Sequence, residues 1–177
     1  MSRLRTILLS AVLAALSCAA YGADTAISLL PADSATVFKL SANAGEYAKM
    51  STAAVTGQPF SKALRIEVTK KPQRSGDVMI SAPVDVALAG GDVLLVSFWM
   101  RSGVAGEATL YAGFRAAPGA AAAGGAAGRG RGGFRGFPAL NAPALAGTAW
   151  KKVQFPFALS RAYDKGEAEV TFTVGLH

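Results

Sequence analysis

The chain is poor in the residues that build most catalytic and metal centres. It has one cysteine, Cys18, and one histidine, His177, which is the last residue of the 177. Zinc sites built from cysteine and histidine are therefore excluded. A Cys–His or Ser–His relay needs an imidazole held in a packed site, and a terminal residue is poorly placed to supply one. A lone cysteine makes no internal disulfide. Long amphipathic helical patterns are also missing. What remains for chemistry is carboxylates, hydroxyls, lysines and arginines.

Acidic residues are in the minority, 11 against 18 lysines and arginines, for a formal net charge of +7. The excess is local. Without Arg3, Arg5, Arg129, Arg131 and Arg135 the formal charge falls from +7 to +2. The first two arginines open "MSRLRTILLSAVLAALSCAAYGAD", a basic start followed by an apolar run and then small residues. This order matches a secretory signal peptide over residues 1–22, cut after Gly22 in Ala20-Tyr21-Gly22. The apolar run is short of the roughly 20 residues that span a bilayer, so no stable membrane span is expected. A lipoprotein reading through Cys18 in "ALSC" has its leucine one position out of place. The protein is thus expected to be exported, to the periplasm or beyond, with its only cysteine lost with the leader.

Residues 23–177 read as one domain, large enough to bury a core. Alternating segments dominate. Weak strand character covers Ala35–Leu40, and strong alternation covers Ala63–Lys70. Asp77–Ser81 and Val84–Leu88 follow, the latter ending at "AGGD". Asp92–Ser102 is the most apolar strand, which predicts burial on both faces or a central position. Glu107–Arg115, Trp150–Leu159 and Glu167–Leu176 complete the set. Residues 116–149 read as a low-complexity insertion and return loop, with almost only alanine, glycine and arginine up to Gly136. Short strands separated by turns predict an all-β sandwich.

Inside the insertion, "RGRGGFRGF" has the composition of an RGG-type nucleic-acid binder: Arg129, Arg131 and Arg135 with Phe134 and Phe137. Export argues against RNA as the partner. A basic loop tolerated between two strands is the plainer reading.

The segment from "ALRIEVTKKPQRSGDVMISAPVDVALAGGDVLLVSFWMRS", with the later "WKKVQFPFAL" and "AEVTFTVGL", resembles the galactose-binding-like carbohydrate-binding modules, especially those attached to bacterial xylanases and related glycoside hydrolases. The resemblance covers Ala35 to Leu176 without the insertion. It implies a jelly-roll β-sandwich and a non-catalytic polysaccharide- or oligosaccharide-binding role, accessory to or truncated from a glycoside hydrolase. The family closes its sandwich with one further strand, so a sandwich lacking its final strand is expected, with Glu167–Leu176 at risk of an unpaired edge. A structural calcium near the N-terminal loops is compatible with the family, but no run of oxygen ligands marks one. A β-sandwich with a structural or adhesive role and no sugar binding remains the alternative, with the RGG-type binder behind it.

Sugar-binding modules stack pyranose faces on aromatic rings and hydrogen-bond the hydroxyls. If Leu94, Val96, Phe98 and Met100 face the core, Trp99 and Arg101 face outward, and on the next strand Tyr111 and Arg115 lie opposite its apolar face. These four are the ligand-binding candidates. Against them stand a core role for Trp99 and an ordinary surface role for Tyr111. Trp150 is expected to be structural, as it is in the family. Asp77, Asp92, Glu107, Glu167 and Glu169 sit mostly at strand starts and turns, where carboxylates are solvated. Glycosidase catalysis, which needs two carboxylates across a cleft, is not expected from them.

Overall fold

A computed structural model describes residues 27–31, 33–74, 76–119 and 138–174. Residues 1–22, where a signal peptide is expected, the "RGRGGFRGF" run and His177 lie outside the described residues. Among the described residues nine strands run β1 (Lys39–Leu40), β2 (Ala48–Ala54), β3 (Lys62–Val68), β4 (Met79–Val84), β5 (Val93–Met100), β6 (Ala108–Ala116), β7 (Leu140–Ala146), β8 (Lys151–Ala158) and β9 (Ala168–Val174). The only helices among the described residues are two single 3-10 turns, Ser34–Thr36 and Ala44–Glu46. The protein is all-β and sandwich-like, with every ladder antiparallel.

One layer is a five-stranded sheet in the order β1-β4-β9-β6-β7. Its inner face follows from alternation: Ile80, Ala82 and Val84 of β4, Ala168 and Val170 of β9, and Ala112 and Phe114 of β6 are all buried. Cross-strand rows pair large with small, as in Ile80–Phe172–Ala112 and Ala82–Val170–Phe114. Phe114, 1% exposed, meets Phe157 at 5.3 Å and Tyr163 at 5.6 Å between ring centroids. Burying such a ring contributes about 2–3 kcal/mol. The second layer consists of two ribbons, β2-β3 and β5-β8, that pack on this inner face through Met50, Leu64, Ile66, Leu94 and Phe157. A smaller cluster of Met100, Ala144, Ala146 and Val153 joins β8 to β7.

The turn before β5 is set by two residues. Asp92 Oδ2 accepts from the Ala89 amide at 2.8 Å, and Gly91 takes φ +93°, which side-chain-bearing residues rarely adopt. Asp77 plays the same part before β4, accepting from the amides of Gln73 (2.8 Å) and Arg74 (2.7 Å).

Several sequence expectations are corrected. Ala35–Leu40 is strand only at Lys39–Leu40, because the 3-10 turn Ser34–Thr36 occupies its start. Val84 closes β4, and beyond it only Leu88 makes a bridge, to Tyr163. β2 lies in a segment without a strong strand signal, where Met50 and Thr52 align with Ile66 and Leu64. The return part of the 116–149 insertion holds β7, paired along its length with β6. The described part of Glu167–Leu176 is not an unpaired edge: β9 sits between β4 and β6 with ladders on both sides. Asp92–Ser102 is not central either, since β5 pairs only with β8.

Candidate functional site

The alternation that buries Ala112 and Phe114, with Leu110 half-buried beside them, turns Tyr111, Gly113 and Arg115 to the outer face of the five-stranded sheet. Register puts Thr173 and Pro143 on either side of Tyr111, Thr171 and Asn141 on either side of Gly113, and Glu169 beside Arg115. Ser81 extends the Thr171 row. The result is a polar face on a rigid sheet.

A cleft of about 210 Å³ opens in this face, lined by Gly76, Met79, Gly113, Arg115, Pro138, Leu140, Asn141, Thr171 and Thr173. Gly113 makes the floor. A Cβ built there would stand 2.4 Å from Thr171 Oγ1, so any side chain would displace the threonine and fill the hollow. This is the close approach that a glycine inside a strand marks. Arg115 closes one end, its Nε donating to Glu169 Oε1 at 2.7 Å. Glu169 is 7% exposed. A carboxylate this buried needs its guanidinium partner, since breaking a buried pair costs about 3–5 kcal/mol. The pair offers donors and an acceptor side by side, the pattern that vicinal hydroxyls match. Pro138, the first described residue after the insertion, stands at the cleft's rim.

Trp99 and Arg101 lie elsewhere, on the outward side of the β5-β8 ribbon. β5 alternates as expected, Leu94, Val96 and Phe98 half-buried, Met100 buried, Trp99 36% exposed. Phe60, from the β2–β3 turn, meets Trp99 at 6.1 Å and Trp150 edge-on at 5.2 Å. The Arg101 guanidinium stacks 5.1 Å from the Trp150 ring centroid. The four candidates thus divide into two pairs on the two outward faces of the sandwich: Tyr111 with Arg115, and Trp99 with Arg101. Trp150 is half-buried within the second cluster.

Glu107 is exposed, as expected, but two of the carboxylates are not at solvated positions. Glu167 and Glu169 are buried and ion-paired. Glu167 Oε1 accepts from Arg161 Nη1 at 2.8 Å, and its Oε2 from the Asp164 amide at 2.9 Å. These two bonds hold its carboxyl below the usual carboxylate range. Arg161 in turn lies 3.9 Å from the Tyr163 ring centroid. Asp77 and Asp92 cap turns. No cluster of three or more His, Cys, Asp or Glu residues that could hold a metal occurs among the described residues. No described helix is long and apolar enough to cross a membrane.

Gly113, Asn141, Thr171 and Glu169 were not among the candidates read from the sequence. The glycine inside the "EATLYAGFR" strand and the threonine–glutamate side of β9 carried the signal. No protein-family model matches the chain, and no curated protein is significantly similar to it.

Proposed function

We propose that the protein is a non-catalytic, exported carbohydrate-binding module of jelly-roll type that takes a neutral glycan chain on the outer face of its five-stranded sheet. The observation that carries this reading is the cleft over Gly113, where Arg115, Glu169, Asn141 and Thr171 gather on one rigid face beside Tyr111. Tyr111 supplies a ring for a pyranose face, and the polar groups match hydroxyls at fixed spacing. Because Glu169 neutralises Arg115, the cleft favours uncharged sugars over acidic ones. The buried carboxylates are committed to arginines and turns, which supports binding without hydrolysis. In this reading the domain holds a polysaccharide near a glycoside hydrolase.

Retention on insoluble plant polysaccharides and titration calorimetry with their oligosaccharides test the proposal. Tyr111→Ala, Asn141→Ala and Gly113→Val are expected to weaken binding at least fivefold, the size of one lost hydrogen bond or ring contact of about 1 kcal/mol. Trp99→Ala, on the opposite face, is expected to leave it unchanged. Loss of binding in Trp99→Ala alone moves the site to the aromatic face. A wild-type chain retained on no glycan overturns the reading.

A further inference from the structure

The two layers leave a second hollow at the flank where β7, the edge of the five-stranded sheet, meets β8 of the β5-β8 ribbon. Its volume is about 310 Å³, at the small end of the range for small-molecule sites. It shares no lining residue with the cleft over Gly113. The sequence explains why space remains there. β7 brings Ala142, Ala144 and Ala146 to its inner face, so the layer above has little bulk to meet. From β8, Val153 and Phe155 lie beside Ala144 and make the floor apolar.

The start of β8 supplies the charge. Lys151 and Lys152 both line the hollow, and no carboxylate does. Neither lysine forms an ion pair among the described residues. β5, β7 and β8 contain no aspartate or glutamate. Lys151 is held in place: its Nζ donates to the Leu145 carbonyl at 3.1 Å. That bond spends one of the three N–H groups of an ammonium and leaves two for a ligand. Gln154, exposed on the same strand, adds an amide to the wall.

These walls select the ligand. An added strand is blocked, because Pro143 carries no N–H and Lys151 already occupies the Leu145 carbonyl. A phosphate finds neither an arginine fork nor a glycine-built nest of amides among the lining residues. An uncharged apolar molecule takes water from two ammonium groups and gives them no partner. We infer that the β7–β8 hollow binds a small organic carboxylate, its apolar body on Ala144, Val153 and Phe155 and its acid group on Lys151 and Lys152. The inference does not depend on glycan binding at the sheet face.

The experiment titrates the isotope-labelled full chain with phenylacetate and follows amide NMR shifts. Phenylacetate is expected to shift the Ala144, Val153 and Gln154 amides saturably. Phenylacetamide keeps the ring without the charge, and acetate keeps the charge without the ring. Each is expected to bind about tenfold more weakly, the loss of a charged hydrogen bond or of a buried ring. Lys152→Gln and Gln154→Glu, both at exposed positions, are expected to weaken phenylacetate about fivefold with unchanged circular dichroism. No saturable shift at these amides up to about 10 mM overturns the inference. Equal affinity for phenylacetamide also overturns it, since charge then plays no part. Equal affinity for acetate reduces the hollow to an adventitious ion only, and tighter binding of phenyl phosphate makes the ligand a phosphate; either result overturns it. So does undiminished binding in both variants.

Discussion

Charge at single residues is spent on structure in this molecule. Glu167 receives the Arg161 guanidinium and the Asp164 amide, and both bonds favour its ionised form. Its folded pKa is therefore depressed below the unfolded value of about 4.3. The stability it contributes is present above that unfolded value and is lost as pH falls toward the folded one. Comparing the wild type with Glu167→Gln by urea unfolding should give a difference that is constant above about pH 5.5 and shrinks steadily below pH 4. A difference independent of pH would mean that the carboxylate acts only through packing. Arg115 and Glu169 form a second ion pair, on the open face, where Arg115 also lines the cleft. For that reason Arg115→Ala is a poor probe of binding, since it leaves Glu169 buried without its partner.

At the scale of elements, Phe114 ties the two layers. Its ring reaches from β6 to Phe157 on β8 and to Tyr163 at the Leu88 bridge. Phe114→Ala should cost about 3–5 kcal/mol in equilibrium unfolding. Phe60→Ala, in the partly exposed aromatic cluster, should cost less than about 2 kcal/mol, for it loses ring contacts without opening a cavity in the core. Equal costs would mean that the Phe60 cluster, and not the Phe114 core, holds the layers together. The elements also show what alternation can and cannot reveal. β3, β5, β8 and β9 are rich in β-branched and aromatic residues, and their inward faces are legible directly. β2 ("AKMSTAA") and β7 ("LNAPALA") are built from small residues, with little side-chain bulk to mark a pleated face, and their strands come from pairing with β3 and β6. The outward placement of Tyr111 and Arg115 was legible for the same reason as that of Trp99. That they occupy opposite faces was not, because it depends on β5 pairing with β8 and β6 with β9, which no local pattern encodes.

At the scale of the whole molecule, the basic insertion and the polar cleft are two features that net charge alone would merge. Without residues 1–22 and the three arginines of "RGRGGFRGF" the chain is close to neutral, and the cleft carries a neutralised arginine. On the proposed function, affinity for acidic surfaces would come from the insertion and affinity for neutral sugars from the sheet. Replacing residues 120–137 by a six-residue Gly/Ser connector between Gly119 and Pro138 tests the division. Shortening the loop about threefold lowers its closure entropy cost and should stabilise the fold by about 1 kcal/mol. The formal charge of the full chain falls from +7 to +4 as Arg129, Arg131 and Arg135 are removed. Elution from a cation exchanger should move to lower salt, while retention on neutral polysaccharide stays within twofold of the wild type. A loss of neutral-glycan binding on excision would instead make the insertion part of the cleft, entering through the rim that Pro138 already forms.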